Sequence, residues 1–543
     1  MPALTLPAQI TIGSFFLETL TTGMYENPLH CLREYVQNSF DAIHDAVGAQ
    51  LIGADDGKVT VSVTGAGAHQ NISIRDNGAG APTNEAVDRF VSLGASHKRP
   101  AKHAGFRGIG RLAGIAYCTT LKFTTKAAGE DLATVLSFDC AKLRGLMAPG
   151  AEPRGVSDVI RASVTAQTIA APSAQHYTEV EMKGLINAGL EFTDRDKLVA
   201  YLSQYSPVDY AGTFPFADQI RAYAARLGQP LPVIEVELKI KKDRLRISKP
   251  FRKSYAPPPD GTTRQAPPSV LTGIELVGSP EHGWFGWFGI SNFPGTIPDA
   301  SVAGIRFRQK NIQIGDATII ESIAGTARAN AAKGSDRTLQ RWAVGEIFIA
   351  NTSVVPNARR DGFEDNEAWR TIRTDANAVT QSLVKIIRSS SKKRNLLNKA
   401  TKAIAEERAR LKQPGFGADE AQRLKVDQEL AAQLSAIEKA IKQGADPKEA
   451  AELVSQIKEL RESLLEIAKP KGDPQPSPPP STPPPPSPPS PPAPPSPPAP
   501  DNGGDDTEQD EAPLLALVRE VLVEKLGESH AAEIMDAVYA RLD

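Results

Sequence analysis

Cysteine is scarce in this chain of 543 residues, and the few cysteines present do not form a recognisable set. They are odd in number and too scattered for a disulfide framework or for a group of metal ligands: Cys31, Cys118 and Cys140. The eight histidines show no zinc spacing either. These absences predict a protein of a reducing compartment, with neither a disulfide scaffold nor a zinc site.

Long apolar runs and an excess of charge of either sign are also missing. No run is long enough to span a bilayer, and the N-terminus lacks the basic region and apolar core of a signal peptide. We therefore expect a soluble cytoplasmic protein without a membrane partner. The net charge of −2 argues against a globally basic nucleic-acid binder but leaves local basic patches open. The length allows about three domains.

The stretch from Leu32 to Ala42 predicts a helix, because neither Gly nor Pro interrupts it and apolar residues recur at helical spacing. Glu34 and Asn38 stand four residues apart and therefore project from one side of that helix. A carboxylate is a potential base, and an amide oxygen is a ligand for a hard cation such as Mg²⁺. Taken alone, such a pair is more typical of a solvated helix face.

Two glycine clusters follow this helix. Residues 75–80 read Arg-Asp-Asn-Gly-Ala-Gly, and residues 105–110 read Gly-Phe-Arg-Gly-Ile-Gly. Two stretches of alternating apolar and polar residues flank a Gly/Ala-rich turn. They predict a β-hairpin with Asp76 at the end of one strand. Each cluster alone suits a turn or a lid hinge as well as a phosphate cradle. The second cluster also lacks the βαβ unit and the following acidic residue of a dinucleotide site.

In order, the three stretches read Glu-x-x-x-Asn-x-x-Asp-Ala, Asp-x-Gly-x-Gly and Gly-x-x-Gly-x-Gly. This combination resembles the Bergerat nucleotide-binding fold shared by DNA gyrase, the ninety-kilodalton heat-shock chaperones, histidine kinases and MutL, together called GHKL. The resemblance covers residues 12 to about 185. It implies an α+β protein that begins with an α/β-sandwich domain at 1–185 and hydrolyses ATP with Mg²⁺.

The resemblance also implies roles for single residues. In the family, the Glu matching Glu34 orients and deprotonates the attacking water, and the Asn matching Asn38 ligates Mg²⁺. The Asp matching Asp76 accepts a hydrogen bond from the adenine amine. Thr178 resembles a late-strand threonine that reaches the adenine through water, although a solvent-facing strand threonine is the alternative. For Asp41 we favour a structural role at the helix end.

Glycines and lid cations complete the predicted site. Gly78 and Gly80 keep the base pocket open. The absence of Cβ atoms in the second cluster lets its backbone approach the phosphates closely, at Gly105, Gly108 and Gly110. Residues 94–103 are polar, basic and rich in helix breakers, which predicts a mobile lid. Lys98 and Arg107 would offset phosphate charge; the alternative is that both are solvated.

Residues 186–370 resemble the transducer domain that follows the Bergerat fold in the chaperones, MutL, gyrase and the MORC ATPases. The stretch Asn357–Asp361 looks like the chaperone loop whose Arg reaches the γ-phosphate, which assigns that role to Arg360. Lys310 is the rival, since gyrase-like relatives use a transducer Lys. Either cation would stabilise charge as the terminal phosphate departs. The alternative is that both are ordinary surface cations.

Residues 371–470 predict a helical hairpin or coiled coil with a helix stop at 444–447. Lys385 to Lys412 is rich in Lys and Arg, which usually marks a solvated face; nucleic-acid contact is the alternative. Residues 471–512 predict a disordered Pro-rich and acidic linker. Residues 513–543 predict a small helical module for docking or oligomerisation.

The leading hypothesis is therefore an ATPase whose nucleotide closes the lid and pairs two N-terminal domains in a homodimer, in a chaperone-like cycle. The alternative is a MORC- or MutL-like clamp on nucleic acid, since the helical hairpin after the transducer region is similar to the MORC pattern. A histidine kinase is less favoured, because in those enzymes the nucleotide domain follows the phospho-accepting helix. A non-catalytic ATP-sensing scaffold is the remaining alternative. The client is left open between protein and nucleic acid.

Overall fold

The computed structural model describes residues 12–21, 27–94, 98–99, 101–148, 150–257, 267–324, 335–413, 416, 419–442 and 447–467. Within these ranges the chain combines sheets with helices, which confirms the predicted α+β class. The predicted linker at 471–512 and the C-terminal module at 513–543 lie outside the described residues, as does most of the predicted helix stop at 444–447.

The first sheet has the strand order β5-β4-β3-β6-β2-β1-β7-β8. Its strands are β1 (Lys58–Thr64), β2 (Asn71–Asp76), β3 (Cys118–Lys126), β4 (Leu132–Asp139), β5 (Val164–Ala170), β6 (Tyr177–Leu185), β7 (Glu235–Ile240) and β8 (Asp243–Arg246). β7 pairs with β1 in parallel, whereas the other neighbouring strands run antiparallel. This sheet thus takes two strands from beyond residue 185; the domain limits drawn from the sequence remain predictions.

Twelve α-helices lie in the described residues. They are α1 (Ser14–Thr21), α2 (His30–Gly48), α3 (Thr83–Val91), α4 (Cys140–Met147), α5 (Val156–Ser163), α6 (Arg195–Tyr205), α7 (Ala217–Arg226), α8 (Thr318–Ala324), α9 (Ser335–Leu339), α10 (Glu367–Leu411), α11 (Glu420–Lys442) and α12 (Pro447–Ile467). Of these, α11 and α12 pack apart from the sheets. Short 3-10 helices lie at Gly67–His69, Gly110–Ala116, Asn187–Thr193 and Gln340–Trp342.

The predicted central helix is α2, and its apolar side packs into the core of the first sheet. Leu32, Val36 and Phe40 are buried there together with Ile72 and Ile74 of β2. Burial alternates along β2, as expected for side chains that point to opposite faces in turn. The next inward-facing position after Ile74 is Asp76, so strand geometry alone brings a carboxylate to the core side of the sheet.

The second sheet has the order β13-β12-β14-β11-β10-β9, with β12 parallel to β14. Its strands are β9 (Ser254–Tyr255), β10 (Ser269–Ser279), β11 (Trp284–Ser291), β12 (Gly304–Gln309), β13 (Ile312–Ile314) and β14 (Val344–Ile349). The aromatic strand β11 is buried on both faces: Trp284 and Phe288 face α8 and α10, while Phe285 and Trp287 face α7. Ile312 of β13 belongs to the core of the first sheet, so the two sheets are packed together there.

The C-terminal half of α10 packs with α11 and α12 around a separate apolar core. This core includes Leu397, Ile404, Leu430, Ile437, Leu453 and Ile457. Arg461 Nε lies 2.6 Å from Asp427 Oδ1 and so joins the end of α12 to the first half of α11. The two helices are therefore antiparallel, and the predicted hairpin packs against a third helix.

Candidate functional site

A cavity of about 310 Å³ lies between α2, the end of β2 and the glycine turn that precedes the 3-10 helix at Gly110–Ala116. Every residue predicted for the site lines this cavity except Gly78 and Lys310. The residues concerned are Glu34, Asn38, Asp76, Gly80, Lys98, Gly105, Arg107, Gly108, Gly110, Thr178 and Arg360. Three stretches that are separate in the sequence, together with a loop after β14, thus share one hollow.

Asp76 forms a buried polar end of the cavity. Its Oδ1 accepts hydrogen bonds from the backbone N–H groups of Gly78 at 2.9 Å and Thr178 at 3.0 Å. Burial raises the pKa of Asp76 to about 6, although hydrogen bonds from Gly78, Ser39 and Thr178 and the charge of Lys98 act in the opposite direction. Above this pH the side chain is a carboxylate that can accept a hydrogen bond from an amine in the cavity.

Thr178 is a half-buried residue of β6. It lines the cavity beside Asp76, and its hydroxyl lies 3.2 Å from that of Thr125. The Thr125 hydroxyl in turn accepts a hydrogen bond from the Ala81 N–H at 2.8 Å. The polar end of the cavity is therefore bordered by ordered hydroxyl groups as well as by a carboxylate.

The glycine turn faces α2 at two positions where a side chain would not fit. A Cβ at Gly110 would collide with Oε2 of Glu34, and a Cβ at Gly105 would lie 2.9 Å from Oδ1 of Asn38. Glycine thus lets the backbone of the turn approach the side-chain oxygens of Glu34 and Asn38 closely.

Asp41 joins α2 to the segment between the two glycine clusters. Its Oδ1 accepts a hydrogen bond from the Ala104 N–H at 2.7 Å, and its Oδ2 accepts from the Gly105 N–H and from Lys98 Nζ, each at 2.9 Å. Lys98 Nζ also lies 3.4 Å from Asn38 Oδ1. Asp41 does not lie at the helix end, as predicted, because α2 continues to Gly48. Its contacts join the middle of the helix to the glycine turn, and no local pattern reveals such a contact between distant residues.

The start of the predicted lid and the residues before it are bonded to the glycine turn and to the 3-10 helix that follows it. The Gly94 N–H donates to the Gly108 carbonyl at 3.4 Å, and the Arg111 guanidinium donates to the Ser92 carbonyl. Burial lowers the pKa of Arg111 to about 10, so it stays a cation at neutral pH. Arg111 lines the cavity and was missed by sequence reasoning, since it follows the last glycine of the cluster.

Arg360 reaches the cavity from the loop after β14. Its side chain is 7% exposed, and its Nε lies 3.6 Å from Glu34 Oε1. The guanidinium also donates to the Ala104 carbonyl. Arg33 lies 3.3 Å from the same Glu34 oxygen and donates to the Arg359 carbonyl at 3.0 Å. Glu34 thus has two guanidinium neighbours, of which sequence reasoning identified one.

Lys310 lies on the two-residue turn between β12 and β13, outside the cavity lining but within electrostatic reach of it. Burial lowers the pKa of Lys310 to about 8; the positive charges of Arg360 and Lys98 act in the same direction and Asp41 opposes them. Lys310 is half-buried, and the charges of Arg360 and Lys98 act on it, whereas Arg360 itself is buried and lines the cavity.

Arg107 connects the glycine turn to the loop that carries Arg360. Its NH1 donates to the carbonyls of Pro356 at 2.9 Å and Asn357 at 3.3 Å, and its NH2 pairs with Glu364. The side chain lines the cavity, but these bonds tie two segments together. The predicted contact with phosphate stays a prediction.

Part of the sequence matches a known protein family. Residues 26–146 match the model of one protein family, described as histidine kinase-, DNA gyrase B-, and HSP90-like ATPase. The N-terminal domain is of the GHKL type. No curated protein matches the sequence.

The GHKL match supports ATP binding with an ATPase- or kinase-like activity in general. It covers α2, Asp76 and the glycine turn, but stops before Thr178 and does not include Lys310 or Arg360. In the part of the chain that the structure describes, no cluster of three or more His, Cys, Asp or Glu side chains could hold a metal ion. Among these same residues, no helix is both long and apolar enough to cross a membrane.

Proposed function

We propose that the chain is a Mg²⁺-dependent ATPase in which the GHKL domain binds the nucleotide and the second sheet completes the catalytic end. The observation that carries the proposal is the shared cavity, which Glu34, Asn38 and Asp76 line together with Arg360. One end offers a buried carboxylate beside hydroxyl groups, which suits a base with an exocyclic amine. The other end combines a second carboxylate with several cations, which suits phosphate groups and an attacking water.

Glu34 supports hydrolysis rather than binding alone. Its carboxylate has the chemistry of a general base for water, and such a base contributes about 10²- to 10⁴-fold to a rate. Arg33 and Arg360 flank Oε1, while Oε2 faces Gly110, where no side chain intervenes. The two guanidinium groups hold the carboxylate in place and keep positive charge beside the water that it would activate.

The position of Asn38 supports the proposal that a Mg²⁺ ion binds together with the nucleotide. Mg²⁺ commonly takes one or two protein ligands and completes its shell with substrate phosphates and water. The amide oxygen of Asn38 is a suitable ligand, and Asn38 lines the cavity. When bound there, the ion would neutralise phosphate charge, and Asn38 would hold it.

Lid movement is the conformational step that we propose. Lys98 and the backbone at 104–105 are bonded to Asp41, so the lid shares its anchor with the phosphate end of the cavity. A ligand that binds better to one lid position than to another shifts the lid toward that position. Pairing of two N-terminal domains and a chaperone-like cycle would follow from this movement.

Phosphate release from ATP by the purified protein tests the proposal. Glu34→Gln keeps the volume of the side chain and removes the base, so we expect turnover to fall at least about 100-fold. ATP affinity measured by calorimetry should stay within a few-fold, and the matched control Glu462→Gln, on the exposed face of α12, should behave like the wild type. Phosphorylation of a histidine without phosphate release would instead support a kinase, and tight ATP binding without either reaction would support a scaffold.

A nucleic-acid clamp is the second candidate, and one surface favours it. Between residues 376 and 405, α10 carries seven cations and no Asp or Glu: Lys385, Arg388, Lys392, Lys393, Arg394, Lys399 and Lys402. Several of these cations also have partners within the protein: Arg388 pairs with Asp336, Arg394 donates to the Asn292 and Phe293 carbonyls, and Lys402 pairs with Glu406. The others are compatible with phosphate contacts.

A gel-shift series with duplex DNA and RNA at increasing salt tests this candidate, because phosphate contacts weaken as salt rises. The double variant Lys392→Glu and Lys399→Glu should abolish the shift, whereas Lys439→Glu with Lys458→Glu, on the hairpin of α11 and α12, should preserve it. No retardation of the wild type at low salt would remove the candidate.

A further inference from the structure

Polar side chains meet in a buried cluster beside the second sheet, away from the GHKL cavity. Glu346 of β14 is fully buried, and its carboxylate accepts hydrogen bonds from Lys249 Nζ at 3.1 Å and Trp287 Nε1 at 3.2 Å. Arg308 and Tyr210 also donate to it. We call these five residues, Tyr210, Lys249, Trp287, Arg308 and Glu346, the Glu346 cluster.

The charges of the Glu346 cluster depend on one another. Burial by itself would raise the pKa of Glu346, but Arg308 and Lys249 outweigh burial and hold this pKa below its usual value. Burial lowers the pKa of Lys249 to about 7, and Glu346 offsets this only in part. Buried ion pairs of this kind rarely stabilise a fold more than apolar side chains of the same volume do. Their presence therefore points to a requirement other than stability.

Arg308 connects the cluster to the hairpin that carries Lys310. While its Nε bonds Glu346, its NH1 donates to the Asn311 carbonyl at 2.9 Å. The Asn311 side chain is buried and donates to the Pro232 carbonyl at 2.9 Å and the Val208 carbonyl at 3.3 Å. The tip of the hairpin is thus fixed from both sides, by the cluster and by the segment before β7.

The turn held in this way is backbone-strained. Lys310 has φ +51° and Asn311 has φ +61°, so both central residues of a two-residue hairpin are in the left-handed region. Such turns favour Asn-Gly, and a lysine with its Cβ is disfavoured in the first position. A side chain kept in a disfavoured conformation by its surroundings is typical of a functional position.

The same hairpin carries Lys310 and contacts the loop that carries Arg360. The charges of Asp41, Arg360 and Lys98 at the GHKL cavity act on the pKa of Lys310. β13 then leads to Gly315, whose N–H donates to the Arg360 carbonyl at 2.8 Å. A Cβ at Gly315 would lie 2.6 Å from the Asp361 carbonyl oxygen, so the strand and the Arg360 loop are in close contact.

We propose that the Glu346 cluster is a positioning device for the catalytic end: Glu346 fixes Arg308, and Arg308 fixes the hairpin that presents Lys310 and supports the Arg360 loop. Arg308 and Asn311 are positioning residues in this sense, since they act through Lys310. The inference rests on the proposed ATPase function and adds positioning residues to it.

Two variants remove the connection in different ways. Arg308→Lys keeps a cation near Glu346 but removes the hydrogen bond to the Asn311 carbonyl. Asn311→Gly suits the turn conformation but removes the side-chain hydrogen bonds to the Val208 and Pro232 carbonyls. We expect kcat for ATP to fall at least about tenfold in both, as misplaced catalytic groups do, with ADP affinity unchanged within twofold. Arg306→Lys is the matched control, because Arg306 is a buried arginine of the same strand that donates to the Ala300 carbonyl and is not a member of the Glu346 cluster. It should keep wild-type kcat.

Thermal unfolding of each variant shows whether a loss of rate reflects a loss of folded protein. If kcat in all three variants follows the loss of melting temperature, the cluster is only a structural core and the proposal is wrong. Wild-type kcat in both Arg308→Lys and Asn311→Gly also contradicts it.

The chemical reactivity of Lys310 gives a readout that does not need ATP hydrolysis. Acetylation by acetic anhydride, followed by peptide mass spectrometry across a pH series, should give a half-maximal rate for Lys310 near pH 8 in the nucleotide-free wild type. In Arg308→Lys the midpoint should move toward the ordinary lysine value near 10.4. An unchanged midpoint overturns the positioning role. Absence of ATPase activity in a wild type that shows the expected midpoints would count against the proposed function alone.

Discussion

The two ends of the cavity are built in different ways. The base end, around Asp76 and Thr178, uses neighbouring strands of the first sheet. The phosphate end combines Glu34 and Asn38 of α2 with the lid residue Lys98 and with Lys310 and Arg360 of the second sheet. In the proposed function, residues of one sheet recognise the base, whereas the phosphate end is complete only while several segments stay in place. Variants at the two ends should consequently fail in different ways.

Asp76→Asn should have an effect as large as any in this set, and it should act on binding. The amide keeps the shape of the side chain but is a poorer acceptor and presents an N–H donor toward the cavity, so ATP affinity should fall about 100-fold. Calorimetric titration with Mg-ATP measures this change, and Asp55→Asn, on an exposed loop, is the control. Unchanged affinity would show that the base end does not recognise the nucleotide.

Arg360→Ala should act on rate rather than on binding. Loss of the guanidinium beside Glu34 should lower kcat about 100-fold, and Lys310→Ala should lower it about tenfold, since Lys310 lies outside the cavity lining. The control is Arg359→Ala, whose side chain is exposed while its carbonyl accepts the bond from Arg33. Steady-state kinetics and nucleotide titration together decide whether the two ends differ as proposed, because an equal loss of affinity in Arg360→Ala and Asp76→Asn would contradict the comparison.

The pH profile should separate the two ends within the wild type. Asp76 has a raised pKa of about 6, so it becomes neutral as pH falls through 6, and nucleotide affinity should weaken on that side. Lys310 has a lowered pKa of about 8, so it loses its charge as pH rises through 8, and kcat should fall on that side. Lys310→Arg keeps a permanent cation and should remove the alkaline limb only. A profile that is flat from pH 5 to 9 would exclude both assignments.

The smallest expected effect comes from relief of backbone strain, which can be compared at two closely matched turns. Lys241, in the two-residue turn between β7 and β8, has φ +55° and resembles Lys310 at φ +51°. Glycine at either position relieves the strain, so each substitution should raise the free energy of unfolding by up to about 1 kcal/mol. Only Lys310→Gly should also lose activity. Denaturant titration measures the first effect and phosphate release the second; equal activity in both variants would mean that the strain at Lys310 has no functional cause.

Sequence reasoning placed residues in the cavity where a local pattern fixes their position, and it missed contacts that depend on packing between distant segments. Asp76 and the glycines lie in short patterns, where strand alternation and turn chemistry fix the geometry locally. Arg33, the contacts of Asp41 with 104–105 and the placement of Lys310 depend on packing between segments far apart in the chain. For the same reason the pairing of β7 with β1 could not be predicted, because a parallel partner more than 170 residues away leaves no local signal.

That pairing determines where the first domain can be cut. β1 is an inner strand, with β2 on one side and β7 on the other. A fragment ending at residue 185 would leave the N–H and C=O groups along Val59 and Val61 without a neighbour, on a strand with β-branched side chains. Exposed edges of this kind pair with other chains and promote aggregation. A fragment that continues through Arg246 would keep β1 covered and let the shorter β8 form the border of the sheet.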